Sequence, residues 1–89
     1  MSEPIKSPLS HKLIGEGQAV SYIRWPKGSL GGYENDTSSD LHPSKAHAVS
    51  VLFQIKQKGM GLDGEVFPKS LWVEWVEDGT YYAKELFTG

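Results

Sequence analysis

The chain has 89 residues, a formal net charge of −2 and no cysteine. That length fits one domain whose core supplies only roughly 3–5 kcal/mol unaided, and the missing cysteine excludes both disulfide staples and thiolate metal sites. The nine lysines and arginines are scattered along the chain, which argues against a nucleic-acid surface built on clustered basic charge.

The compensating resource is aromatic: three Trp, four Tyr and three Phe, each able to bury about 150–250 Å². No segment approaches the roughly 20 apolar residues that span a bilayer. The opening "MSEPIKSPLSHK" lacks the apolar centre of a signal peptide, and a cysteine-free chain fits the cytoplasm.

In chain order, residues 1–10 carry Pro4, Pro8 and little periodicity, the pattern of a loose arm; residues 11–89 are expected to form the domain. Gly15 and Gly17 mark a turn. "QAVSYIRW", 18–25, is rich in β-branched and aromatic residues and predicts a strand. Pro26 ends it, because proline cannot donate to a ladder. Residues 26–47 are dominated by Gly, Ser, Asn, Asp and Pro and predict a long loop. In "HAVSVLFQIKQK", 47–58, Val49, Val51, Phe53 and Ile55 alternate with Ser50, Leu52, Gln54 and Lys56. A period of two predicts a half-buried strand. "KGMGLDGEVFPKS" reads as an irregular turn with a short strand near Glu65 to Phe67.

"SLWVEWVEDGTYYAKELF", 70–87, is the most ordered stretch. Leu71, Val73 and Trp75 share one strand face, and Trp72, Glu74 and Val76 share the other. Asp78-Gly79 is a tight hairpin signal, and "TYYA" starts the return strand. The fold class expected from these short, turn-separated strands is all-β.

The segment Val73-Glu74-Trp75-Val76-Glu77-Asp78-Gly79, with Tyr82 and Leu86 downstream, is similar to the "V-x-W-x-D-G … Y … L" ending of Tudor-like and related SH3-like domains. Gly17-Gln18-Ala19-Val20 resembles the opening of many SH3-like barrels. The resemblance implies a small SH3-like barrel of about five short strands, with the long loop at 26–47 as an insertion. Tudor-type readers hold methylated side chains in an aromatic cage, but no set of cage residues can be placed on this chain.

Enzymatic motifs are missing. His42 and His47 lie five apart and His11 is distant, which does not meet the ordered spacing of a zinc set. "GSLGG", 28–32, lacks the lysine and helix of a phosphate cradle. No serine sits in a nucleophile elbow. Glu77 and Asp78 flank a hairpin, where solvated acids are ordinary. No cofactor and no metal site are therefore expected. Trp75 is assigned to the core. Trp72 points the other way, and Trp25 sits beside Pro26 at a barrel rim. Trp25, Tyr33, Trp72 and Tyr82 are the expected binding residues, since aromatic side chains with polar tips suit a wet interface. The function expected is a non-catalytic binding or adaptor module whose partner is a protein or a second copy of the chain. The two rivals are a nucleic-acid-associated regulator, which predicts steep salt dependence, and a small oligomeric enzyme with a site between subunits.

Overall fold

The computed structural model describes residues 3–26, 36–59 and 66–88. Its elements run β1 (Ile5–Lys6), β2 (Leu13–Ile14), β3 (Ala19–Trp25), β4 (Asp36–His42), α1 (Lys45–Lys58), β5 (Ser70–Glu77) and β6 (Thr80–Thr88). The structure is mostly β, as expected. Four strands form an antiparallel sheet in the order β4-β3-β5-β6, and β1 pairs with β2 in a separate ribbon. The sheet does not close: among the described residues β4 and β6 are free edges, so the architecture is an open sheet where a barrel was expected.

Helix α1 lies on one face. Ala48 and Leu52 enter a buried cluster with Ala19, Ile23, Trp25, Leu71 and Val73. The opposite face carries a smaller cluster, Ile14 with Val20 and Val76, flanked by Ile5 and Tyr81. Sheet side chains alternate, so both faces of β3 and β5 are apolar in part, one for the helix and one for the ribbon.

The stretch 47–58 is helical, which corrects the predicted strand. Its apolar residues satisfy two periods at once. Ala48, Leu52 and Ile55 follow helical spacing, and Leu52, placed by the strand reading on the polar face, is fully buried. Phe53, placed on the apolar face, is 52% exposed. The ends decide the matter. Ser44 is extended and its side chain accepts the His47 N–H at 3.1 Å, which meets an orphan donor of the first turn. Gly59 closes the helix at φ 68, with its N–H on the Ile55 carbonyl at 2.7 Å.

The loop expected at 26–47 is also corrected in part. Residues 36–42, "DTSSDLH", form β4, pairing with β3 from Trp25↔Asp36 to Ala19↔His42. This polar strand has no pattern of its own; the exposed edge of β3 supplies its hydrogen-bonding template. Residues 27–35, including Tyr33, lie outside the described residues.

The β5–β6 hairpin follows the sequence expectation. Asp78 and Gly79 sit at φ 53 and φ 74, the mirror-image turn whose twist suits a hairpin. Glu16 supports it from the first third of the chain, its carboxylate accepting the Asp78 N–H at 2.5 Å and the Gly79 N–H at 3.0 Å.

The opening residues are not a loose arm from Ile5 onward. Ile5 pairs with Ile14 and Lys6 with Leu13. Between them Ser7 is buried, and its Oγ accepts the N–H groups of Leu9 and Ser10, each at 3.0 Å. The same hydroxyl donates to Glu74 Oε2 on β5.

Candidate functional site

The register sets the opposite face of the sheet out in rows. One row is Leu41, Val20, Glu74 and Ala83; the next is Ser39, Tyr22, Trp72 and Glu85. The first row contains Val20 and Glu74, which the N-terminal ribbon covers through Ile14 and Ser7. The second row belongs to neither apolar cluster. Tyr22 and Trp72 are direct cross-strand partners there, and both are half-buried. Directly opposite residues stand about 4.5–5.5 Å apart at Cβ, so the two residues are neighbours on this face and define one aromatic strip. Arg24, one row further along the same face of β3, is exposed, and Glu85 bounds the strip on β6.

The expected site residues are dispersed. Trp72 lies in this strip, on the face assigned from sequence. Trp25 is in the helix-side core at 4% exposure, with its indole N–H donating to Ser38 Oγ at 2.9 Å, and so offers almost no surface. Its place beside Pro26 resembles a rim until the helix is laid over it. Tyr82 is 43% exposed on the helix side and stacks on Trp75 at 5.3 Å between centroids. Trp75 is half-buried at the margin of the core, with Lys45 Nζ 3.8 Å above its ring. Tyr22 has a visible cue in the alternation of β3, but its partnership with Trp72 follows only from the register.

Beside the helix N-terminus, His42 and His47 stack at 5.0 Å, and His42 Nε2 lies 2.9 Å from Ser21 Oγ. Burial, then the His47 charge, holds the His42 pKa below its ordinary value against the opposing pull of Asp40. Among the described residues no three His, Asp or Glu side chains converge as a metal-binding set.

Beneath the ribbon, Glu74 is fully buried. Its Oε2 accepts from Ser7 Oγ and from the Tyr81 hydroxyl, and its Oε1 has no partner among the described residues. Burial, then the bond to Glu74, pushes the Tyr81 pKa up to about 12. This group closes one end of the aromatic strip by pinning the ribbon. No pocket lies in the described surface. No helix among the described residues is long and apolar enough to cross a membrane.

No family model, curated protein or solved structure matches this chain.

Proposed function

We propose that the protein is a non-catalytic binding module that takes an extended, proline-bearing peptide segment of a partner protein on the Tyr22–Trp72 strip. The observation that carries this reading is a cross-strand aromatic pair, partly exposed and outside both cores. Flat aromatic surface suits the preformed polyproline helix, which loses little entropy on docking. Arg24 has no ion-pair partner among the described residues, so an acidic residue in the peptide complements it. A cysteine-free module of this kind suits the cytoplasm.

The test is an amide-shift titration with a synthetic proline-rich peptide bearing one glutamate, against the same peptide bearing lysine. The expected result is a set of shifts centred on Tyr22, Arg24 and Trp72, tighter for the glutamate peptide and lost in Trp72→Ala, whose unfolding profile stays near that of the parent. Shifts centred elsewhere, or saturating binding by a folded Trp72→Ala, refute the assignment.

A further inference from the structure

Strand β6 ends the sheet, and its outer edge is unpaired among the described residues. Thr80, Tyr82, Ala83, Lys84 and Glu85 are all exposed. Natural edges are usually blunted by charged side chains, proline, a bulge, shortness or a covering element; of these devices β6 carries the exposed charges of Lys84 and Glu85. Here the strand is nine residues long, contains no proline, and pairs without irregularity from Thr80 to Glu85; the bulge comes only beyond, opposite Leu71 and Trp72. A regular, uncovered edge is a template for one more strand.

We propose that the added strand is β6 of a second copy of this chain, paired antiparallel about a two-fold axis through Ala83. The axis stands perpendicular to the sheet, so each residue meets one on the same face, and only registers centred on a residue are allowed. Centring on Lys84 sets Lys84 against Lys84 of the other copy, and centring on Glu85 opposes two glutamates; like charges directly opposite are unfavourable. Centring on Tyr82 sets Lys84 against Thr80 and forgoes the direct pairing of Lys84 with an aromatic ring. Centring on Ala83 sets Lys84 against Tyr82 of the other copy, twice by symmetry. It also sets Glu85 against Tyr81, and residues 81–85 then pair clear of the bulge.

An ammonium beside a tyrosine ring is attractive, and Tyr82 already presents its ring at the surface, stacked on Trp75. The other free edge, β4, offers mostly Ser, Thr and Asp and little apolar area to bury. The two copies then share one continuous sheet with both helices on the same face. The interface lies along the outer edge of β6 and touches the Tyr22–Trp72 strip only at its border residue Glu85, and the variants Tyr82→Lys and Trp72→Ala test the two separately.

The test measures the solution mass by light scattering over a range of concentrations, with one engineered crosslink. The expected species is twice the 9.9 kDa of one chain. Tyr82→Lys sets lysine against Lys84 of the other copy and should yield monomer; the double variant Tyr82→Lys/Lys84→Glu should restore the dimer. Because the chain has no cysteine, Ala83→Cys gives one thiol per copy. Opposed Cα atoms in an antiparallel pair lie about 4.5–5.5 Å apart, inside the disulfide range, so mild oxidation should give a covalent dimer. Circular dichroism confirms that each variant folds. A monomer at every concentration overturns the proposal. So does a dimer that survives Tyr82→Lys or fails to crosslink through Ala83→Cys.

Discussion

Ser7→Ala tests whether the N-terminal ribbon is an integral part of the fold. The hydroxyl it removes is 1% exposed and acts three times: it donates to the buried Glu74 carboxylate and accepts two backbone N–H groups. Hydrogen bonds to charged groups contribute about 1.5–3 kcal/mol and neutral ones about 0.5–1.5 kcal/mol each, which places the direct loss at roughly 2.5–6 kcal/mol. The ribbon can also detach locally, uncovering Val20, Val76 and Tyr81, and this route caps the cost, so the expected global loss is about 3 kcal/mol. Urea unfolding reads the loss, and amide exchange of residues 5–14 reads the detachment. Ser10→Ala is the control. Among the described residues its Oγ accepts only the Lys12 N–H, at a stretched 3.4 Å, and its loss should stay within about 0.5 kcal/mol. If Ser7→Ala costs no more than the control and leaves exchange at 5–14 unchanged, Ser7 does not clasp the ribbon to the sheet.

Three further outcomes are expected. Gly59→Ala should destabilise clearly in thermal unfolding, because the residue sits at φ 68 and a Cβ there would stand 2.5 Å from the Val66 carbonyl oxygen. Leu52→Ala should cost about 2–5 kcal/mol while Phe53→Ala costs far less; a strand at 47–58 would reverse that order, and denaturant midpoints decide between them. Stability should also fall at both ends of the pH range. The lowered pKa of His42 contributes stability that is present above the ordinary histidine value of 6.5 and is lost as pH falls through the folded-state pKa, because the unfolded chain takes up the proton first. The raised pKa of Tyr81, about 12 against 10.0, contributes stability present below pH 10 and lost as pH rises toward 12. His42→Gln should flatten the acid limb and Tyr81→Phe the alkaline one, both read from urea midpoints across pH.

The parts of the fold legible in the sequence are those where local and tertiary signals agree. β3 is β-branched and ends at Pro26, while β5 alternates and runs into Asp78-Gly79. The helix was hidden because Val49, Val51, Phe53 and Ile55 form a credible strand pattern, and only the caps at Ser44 and Gly59 break the tie. β4 was hidden because "DTSSDLH" has no apolar pattern; its strand is imposed by its neighbour. The ribbon depends on Ser7 meeting Glu74, 67 residues away, and no local pattern encodes that pairing. In the candidate site, the outward face of Trp72 follows from parity alone, whereas its pairing with Tyr22 needs the register and the burial of Trp25 needs the helix.

The central position of β3 governs the order in which the molecule can be completed. Its partner on one side is β4, close in the chain, but its partner on the other is β5, with Ser21 facing Val73 across all of β4 and α1. During synthesis, β3, β4 and the helix can associate while one flank of β3 still lacks a neighbour. The Ser7 clasp and the Glu16 support of the turn both wait for the same late hairpin. Closure of long loops before their contacts are rewarded makes such topologies slow to fold. A chain stopped before β5 would therefore keep one edge of β3 and its ribbon-side Val20 open, and would be the form most prone to associate wrongly.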